Sequence, residues 1–328
     1  MPRTPRLAPF FWAVLAGSPA AAIELALPLA CRPGEDCWVV RHVDHDPGPG
    51  FLDHRCGRLG SDGHQGSDFA IAGPQRMREG VAVQAAAAGV VQAVRDGVPD
   101  QPPDGRMVHE VGRQNCGNGV LIEHGQGWET QYCHLRQGSV VVGIGDEVAQ
   151  GQPLGLVGMS GEANFPHVHL TVRQGGRVLD PFTRTPMGEA CGETGVPLWR
   201  AELAQRLGYV AVPIAEVGLT DRVPEHREIV GGTAAAAALT ARSPALVGYL
   251  LAYGALRGDR IELTIRGPDG QEVNSTGFDV EEDAPRASRS AGRRMPAGGW
   301  PAGRYRVEAR VARGERSWMR ERSFTVDP

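Results

Sequence analysis

Residues 117–135 read GNGVLIEHGQGWETQYCHL, and this stretch decides the fold class of the domain around it. Two short runs of strand-forming residues, 120–123 and 129–132, are separated by a glycine-rich turn, which is the pattern of a β-hairpin. Cys116 and Cys133 flank the hairpin. We therefore predict two antiparallel strands joined by a disulfide between these cysteines.

The same strand pattern extends on both sides of the hairpin. Residues 81–83, 89–94 and 167–173 also have strand composition, and no segment of helical period interrupts them. Between about 58 and 183 we therefore predict an antiparallel all-β core. Residues 95–115 carry several Pro, Asp and Gly residues and are predicted to form a long loop that walls a substrate groove.

A second β pattern begins near residue 243. Its predicted strands are 245–253, 260–265, 305–311 and 323–326. This spacing predicts a small immunoglobulin-like β-sandwich at the C-terminus. The segment has no clustered His or Cys residues, so we assign it no chemistry, and both binding and structural support remain open for it.

The N-terminus has the pattern of a secretory signal. Arg3 and Arg6 precede an apolar run at 7–15, and 20–22 offers a cleavage site of small residues. The run is too short to span a bilayer and no later segment is apolar enough, so we expect no membrane span after cleavage. A periplasmic or secreted protein is predicted. Residues 27–31 faintly resemble a lipobox, which leaves lipidation at the cysteine as a weaker alternative.

Cysteine usage and charge narrow the class of protein. The six cysteines form an even set without a C-x-x-C pair, as an oxidising compartment allows; they are Cys31, Cys37, Cys56, Cys116, Cys133 and Cys191. A second disulfide between Cys37 and Cys56 is a weaker prediction. The formal net charge of -4 gives no reason to expect nucleic acid as a partner.

Two separated motifs supply the residues of a metal site. His64-Gln65-Gly66-Ser67-Asp68 is followed about a hundred residues later by His167-Val168-His169. Residues two apart on a β-strand project from the same face, so both rings of the second motif can face one site. Catalytic zinc typically takes three protein ligands and keeps one position for water. The motifs therefore predict a zinc site with a spare histidine beside it.

The segment from Gly63 to Pro181 resembles the lysostaphin/LytM-type zinc metalloendopeptidases, which cleave cell-wall peptides. Four separated motifs agree in order with that family: H-x-G-x-D at 64–68, the segment 117–135, the glycine-rich segment 145–158, and PHVHL at 166–170. The usual Thr-Gly before Pro-His is replaced by Asn164-Phe165, and a valine lies between the two histidines. Every implied ligand is retained.

The resemblance implies a LytM-type antiparallel β core and a set of residue roles. His64, Asp68 and His169 would bind one Zn²⁺, and His134 and His167 would be the catalytic pair. Zinc lowers the pKa of a bound water to about 7 and polarises a carbonyl, and an imidazole near its ordinary pKa can move the proton. The implied activity is hydrolysis of peptidoglycan stem peptides or cross-links.

These predictions give a domain scheme. It consists of a signal peptide (1–22), an N-terminal segment with a disulfide (23–57), a LytM-type zinc peptidase domain (58–190), a linker (191–242) and the β-sandwich (243–328). Within the linker, 198–207 is a candidate short helix. A cell-wall protein is a candidate partner of the sandwich.

Two rival functions share features with the peptidase. Residues 88–91 and 145–152 resemble segments of a biotinyl or lipoyl carrier domain. Such a carrier needs a lysine to attach its cofactor, and the chain contains no lysine. A non-enzymatic family member that activates cell-wall hydrolases is the stronger rival. Such proteins lack zinc-site residues, whereas all five candidates are present here. Residues 23–55 are the candidate segment for covering the zinc.

Several polar residues outside these motifs are interpreted as structural or surface residues rather than as site residues. The cluster HVDHD at 42–46 resembles a metal site but has no spaced partner and precedes a Pro-Gly turn, so we predict a solvated loop. Asn118 and Tyr132 either line the site or belong to the core. We assign no chemistry to Glu123 or to three further histidines, His109, His124 and His226.

Overall fold

The computed structural model describes residues 23–102, 107, 112, 114–192 and 195–328. The predicted signal peptide and His109 lie outside these residues. Within them, no helix is long and apolar enough to cross a membrane. Three short helices are present: α1 (Gly73–Glu79), α2 (Ala201–Leu207) and α3 (His226–Val230).

The N-terminal part of the chain is built from antiparallel strands. In chain order they are β1 (Cys37–Arg41), β2 (Ser67–Ile71), β3 (Ala82–Gln84), β4 (Gly89–Arg95), β5 (Asn118–Glu123), β6 (Trp128–Leu135), β7 (Glu147–Val148), β8 (Pro153–Leu156), β9 (His167–Gln174) and β10 (Arg177–Leu179). The main sheet has the order β1-β2-β9-β6-β5-β4-β7, with β10 added to β9, while β3 and β8 form a small second sheet. The predicted all-β, antiparallel class is confirmed.

Alternation of side chains explains why β6 and β9 occupy the centre of this sheet. On β6, Trp128, Thr130 and Tyr132 are buried, and the residues between them are partly exposed. On β9, Leu170 and Val172 pack into the same apolar core. The opposite faces of the two strands remain free to carry polar groups. The sheet therefore separates a packed side from a side that can hold a site.

The N-terminal segment 23–57 is part of this core. Strand β1 pairs with β2, and Leu25 and Leu29 are fully buried in the same apolar cluster.

The three disulfides are Cys31–Cys37, Cys56–Cys191 and Cys116–Cys133. The predicted Cys116–Cys133 bond is present, whereas the Cys37–Cys56 pairing is wrong. The sulfur of Cys31 is bonded to Cys37, which contradicts the lipobox alternative.

The C-terminal part is a seven-stranded sandwich. Its strands are β11 (Ile214–Thr220), β12 (Ala245–Ala255), β13 (Arg260–Arg266), β14 (Glu272–Asp279), β15 (Ala284–Arg294), β16 (Gly303–Arg313) and β17 (Arg316–Val326). One sheet has the order β11-β12-β15 and the other β14-β13-β16-β17. Their inner faces enclose a separate apolar core that includes Leu250, Leu263 and Tyr305. This agrees with the predicted second β unit.

The sandwich begins earlier than the predicted residue 243. The segment 191–242, predicted as a linker, contains α2, α3 and β11, and β11 is hydrogen-bonded along β12. Ile214, Val217 and Leu219 of β11 are buried in the sandwich core. The alanine-rich run at 234–238, which is irregular in the structure, separates the two paired strands along the chain and concealed their relationship.

A small apolar cluster joins the two parts of the molecule. It contains Trp38, Val40, Ala70 and Phe165 from the N-terminal part, and Ala215 and Tyr253 from the sandwich. The guanidinium of Arg320 on β17 lies 4.6 Å from the ring centre of Trp38. Arg286 on β15 donates to the carbonyl oxygen of Asn164 at 2.6 Å. The sandwich therefore packs beside the loop that precedes β9.

Candidate metal centre

Strand register brings the residues of the two motifs to one place. In the β2–β9 pair, Asp68 lies directly opposite His169, and in the β6–β9 pair, Cys133 lies opposite His169. His134 therefore follows immediately beyond this point of β6. His64 belongs to the turn that precedes β2, and Gly66 in this turn lies so close to His169 that a Cβ would come within 2.7 Å of its Nε2. The geometry brings the two motifs together.

Three side-chain atoms converge at the centre of this arrangement. His64 Nε2 lies 3.1 Å from Asp68 Oδ1, and His169 Nδ1 lies 2.8 Å from the same oxygen. The two ring nitrogens are 3.2 Å apart. Zinc ligand distances of about 2.0–2.2 Å in a tetrahedral site place ligand atoms about 3.3 Å from one another. The donor set therefore fits one zinc ion in both chemistry and spacing.

Hydrogen bonds outside the donor set orient both imidazoles. His64 Nδ1 donates to the carbonyl oxygen of His42 at 2.8 Å, which leaves the lone pair of Nε2 directed at the site. His169 Nε2 lies 3.0 Å from the hydroxyl of Thr171, which leaves Nδ1 for the site. Such bonds fix the tautomer and the ring orientation of metal-ligating histidines. The two rings are thus held in a ligating orientation by their surroundings.

Two further buried histidines stand beside the donor set. His134 Nδ1 donates to the carbonyl oxygen of Ser160, and His167 Nδ1 to that of Phe165, each at 2.8 Å. The two ring centres are 4.6 Å apart, and His167 Nε2 is 3.6 Å from Asp68 Oδ2. Both Nε2 atoms therefore retain their lone pairs next to the donor set.

The protonation states follow from burial. Burial lowers the pKa of His167 to about 4. Burial, reinforced by the neighbouring rings of His167 and His169, lowers the pKa of His134 well below its ordinary value. Burial alone would raise the pKa of the Asp68 carboxyl, but the rings of His64 and His167 hold it well below the usual range. At neutral pH the site thus holds a carboxylate beside the neutral rings of His134 and His167, whereas the Asp68 carboxylate, against the opposing effect of burial, raises the pKa of His64.

The backbone at His134 adopts an uncommon conformation. Its φ of 65° lies in the left-handed region, which non-glycine residues seldom occupy. Main-chain hydrogen bonds hold the residue on both sides: its N–H donates to the carbonyl oxygen of Cys116, and its own carbonyl oxygen accepts from Gly158. Such conformations persist where the surroundings over-determine them, and they cluster at functional sites.

The five residues lie in a groove of about 890 Å³. Its walls include Gln131 on β6, Thr171 and Arg173 on β9, and Asn115 and Glu162 in the flanking loops. Met107 also lines the groove, so the long loop predicted at 95–115 contributes to a wall where it is described.

Arg41 is a groove residue that the sequence analysis missed. Its guanidinium lies 3.7 Å from Asp68 Oδ2 and 5.6 Å from the ring centre of Phe165. Phe165 in turn stacks on His167, with 4.3 Å between ring centres. In the sequence, the unusual Asn164-Phe165 pair was the available signal, because Phe165 is the ring that contacts both Arg41 and His167. From residues 23–55, Arg41 is the residue that lines the groove, so this segment forms a wall beside the site.

The remaining candidate residues are structural. Tyr132 is fully buried, and its hydroxyl accepts from the backbone N–H of Ala86 at 2.6 Å. The Asn118 side chain bridges the main chain at Val98 and Leu135. Both residues thus belong to the core and loop framework.

The cluster at 42–46, predicted as a solvated loop, is instead buried at His42, Asp44 and His45. That prediction was wrong.

Comparison with known proteins gives a family match for the segment that carries the metal centre. Residues 62–181, over a third of the chain, match the model of Peptidase family M23. The resemblance predicted from the motifs is thereby confirmed.

Three relatives show the range of functions among similar proteins. A 77-residue stretch is 35% identical to Peptidoglycan DD-endopeptidase ShyA of Vibrio cholerae and covers 24% of this chain and 17% of that protein. A 96-residue stretch is 33% identical to DD-carboxypeptidase/endopeptidase Mpg of Neisseria meningitidis and covers 29% of this chain and 22% of that protein. A 78-residue stretch is 35% identical to Murein hydrolase activator EnvC of Escherichia coli, covering 24% and 18%. The chain thus spans about a fifth of each relative's length.

Proposed function

We propose that this protein is a zinc-dependent endopeptidase that hydrolyses peptide cross-links of bacterial peptidoglycan, in the periplasm or outside the cell. The observation that carries the proposal is the convergence of His64 Nε2, Asp68 Oδ1 and His169 Nδ1, separated by 2.8–3.2 Å. Two relatives named as endopeptidases support the substrate class. The N-terminal signal pattern supports the location.

His64, Asp68 and His169 would hold the zinc, which when bound lowers the pKa of water and polarises the scissile carbonyl. The chain's own contribution comes from His134 and His167. Their Nε2 atoms can accept a proton from the attacking water, and a ring that has accepted it can then donate a hydrogen bond to the carbonyl oxygen as charge develops on it. The bonds from Nδ1 to Ser160 and Phe165 keep both rings aimed at the groove.

The groove supports an extended peptide as substrate. Gln131 and Arg173 are partly exposed and Thr171 is buried, and all three line the groove on the two central strands, so polar groups are arranged beside the metal centre. Arg41 and Arg173 place positive charge at the groove, and Glu162 places negative charge in a flanking loop. Both charge types suit stem peptides, which carry carboxylates and amines.

A second candidate function is activation of another cell-wall hydrolase without catalysis. The similarity to a protein named Murein hydrolase activator is the observation that favours it. The complete set of five site residues favours the enzyme. A protein that acts without catalysis needs neither the zinc ligands nor the two oriented histidines, and all five are present here. The two functions differ in whether the protein itself cleaves a peptide bond, and that cleavage can be measured.

The decisive experiment incubates the purified chain with isolated peptidoglycan and identifies the released fragments by mass spectrometry. We expect cleavage of a peptide bond that stops with a chelator and resumes when zinc is restored. His226→Ala, a change on the sandwich outside the groove, is the matched control and should retain activity. If no peptide bond is cut while the groove holds zinc, the enzyme proposal fails and the activator function gains support.

A further inference from the structure

A second cluster of metal-ligating side chains lies behind the groove. It consists of His42, directly after β1, His54 in the following loop, and Asp180, directly after β10. One ring nitrogen of each histidine and one carboxylate oxygen of Asp180 lie within 4.8 Å of one another. The residues are 2%, 5% and 0% exposed, respectively, so the cluster is shielded from solvent.

Two atoms of this cluster have unsatisfied hydrogen-bonding capacity. Within the described part of the chain, Nδ1 of His42 and Nδ1 of His54 are buried and have no hydrogen-bond partner. Leaving a buried polar group unpaired destabilises the folded state. An orphaned pair in a native fold therefore needs an explanation, and a bound ion is one of the recognised ones.

Asp180 supplies an anionic ligand that is held firmly. Its Oδ1 accepts the backbone N–H of Phe182 at 2.7 Å. Its Oδ2 lies 3.6 Å from His54 Nδ1 and 3.2 Å from His45 Nε2, and His45 Nδ1 in turn lies 3.0 Å from the carbonyl oxygen of Glu189. A carboxylate ligand supported by an outer histidine resembles the second shell of protein metal sites.

We propose that His42, His54 and Asp180 bind a second divalent metal ion of the zinc class, as a closed structural site. Imidazole and carboxylate donors suit zinc and its neighbours in the transition series. The spacing of 3.6 Å between His54 Nδ1 and Asp180 Oδ2 is near the separation of about 3.3 Å expected of tetrahedral ligands. His45, whose Nε2 lies 3.2 Å from Asp180 Oδ2, is a further donor beside the cluster.

The surroundings fit a structural ion better than a catalytic one. Phe182 stacks on His54 with 5.2 Å between ring centres, and Tyr209 lies 5.7 Å from both His42 and His54. These rings close the cluster to a peptide substrate. The ion would tie the N-terminal segment to the end of β10, far apart in sequence. It would also fix His42, whose carbonyl oxygen orients His64 in the groove.

Metal counting tests the proposal on the full chain. After reconstitution with zinc and removal of loosely bound metal, we expect two zinc ions per wild-type chain, one in His169→Ala, one in His54→Ala, and none in the double variant. The matched control His226→Ala should hold two. The count in His169→Ala tests the groove site and the count in His54→Ala tests the second site, so failure of one proposal is distinguishable from failure of the other.

Thermal unfolding gives an independent readout. Chelation should lower the melting temperature of His169→Ala, which retains only the second site, and should leave that of the double variant unchanged. Cobalt(II) bound to His169→Ala should give the visible absorption of a tetrahedral site. Where His54→Ala fails to fold, His54→Gln takes its place, and the wild-type count still decides. A wild-type chain with one zinc that is lost in His169→Ala would overturn the proposal.

Discussion

Arg286 on β15 of the sandwich donates from Nη1 to the carbonyl oxygen of Asn164, 2.6 Å away, in the loop that leads into β9. The same guanidinium lies 5.9 Å from the ring centre of Phe165, and that ring stacks on His167. A residue of the C-terminal unit therefore supports the loop that orients a proposed catalytic histidine. The sandwich is linked to the groove through this contact and through Tyr253, whose ring centre lies 5.1 Å from that of Phe165.

We predict that Arg286→Ala lowers kcat about tenfold with little change in zinc content, because the ring of Phe165 loses its outer support and His167 its fixed orientation. Steady-state kinetics on a soluble peptidoglycan fragment, together with metal analysis, measures both. Arg289→Ala on the same strand is the matched control, since its guanidinium bonds to the adjacent carbonyl of Ser288. An unchanged kcat in Arg286→Ala would show that the contact serves only stability.

Replacing Asp68 should remove the metal of the groove. In Asp68→Ala, His64 and His169 lose the oxygen that lies 3.1 and 2.8 Å from their ring nitrogens. Since zinc affinity depends on all three donors, we expect one zinc fewer per chain than in wild type and no cleavage. Metal analysis of the purified variant checks this. Wild-type zinc content in Asp68→Ala would refute the assigned ligand set.

His134 and His167 should matter for chemistry but not for metal binding. We expect His134→Ala and His167→Ala to keep wild-type zinc content and to slow cleavage by about 10²- to 10⁴-fold, the usual contribution of positioned acid–base catalysis. A drop in zinc content for His167→Ala, with metal retained in His169→Ala, would show that the roles of the pair are reversed. Near-normal rates in both variants would mean that neither ring acts in catalysis.

The Cys116–Cys133 disulfide should hold the strained residue beside it. The bond spans 17 residues, and Cys116 also accepts the N–H of His134 at 2.8 Å. Chain entropy predicts a loss of about 3 kcal/mol in unfolding free energy for the double serine variant. We expect activity to fall as well. Cys31→Ser/Cys37→Ser is the control: its bond spans 6 residues and should cost about 2 kcal/mol without loss of activity.

Glu216 gives a pH prediction away from the metal centre. Burial raises the pKa of this carboxyl, although Tyr249 donates to it at 3.3 Å. A carboxyl whose folded pKa lies above its unfolded value favours folding at low pH, and this stability is lost as pH rises through the folded pKa. Glu216→Gln should therefore gain stability relative to wild type from pH 4 to pH 8. Urea unfolding at both values measures this.

The control for that experiment is Glu315→Gln, because Glu315 lies in the exposed turn between β16 and β17. Its unfolding free energy should follow that of wild type at both pH values. A Glu216→Gln variant that loses stability at pH 8 would contradict the prediction, and would show that the carboxylate is stabilised by Arg320 and Arg322 more than it is penalised by burial.

The central sheet could be predicted because its signals are local. Strand-forming composition marks β5, β6 and β9, and the glycine-rich turn between β5 and β6 fixes their pairing. The family motifs likewise lie on consecutive residues, so His64, Asp68 and His169 could be selected without knowing the fold. Their assigned roles stay predictions, while the convergence of their side chains is a structural fact.

The remaining features depend on partners distant in sequence. His42 and His45 look like loop residues because the groups that bury them, Asp180 and Phe182, follow more than 130 residues later. Strand β11 was concealed because α3 and the irregular alanine-rich run separate it from its partner β12. Arg286 lies 122 residues from Asn164, and nothing in its own neighbourhood indicates that contact. Tertiary packing, rather than local pattern, determines each of these.

The Cys56–Cys191 disulfide has a consequence for how the protein is made. The two cysteines are 135 residues apart, and every residue of the proposed metal centre lies between them. At about 5–20 residues per second, Cys56 waits roughly 7–27 s for its partner to be synthesised. Cys31 and Cys37 are available throughout that interval. Yield of active protein should therefore depend on a disulfide isomerase, and expression in a reducing cytoplasm should leave the domain without its longest covalent tie.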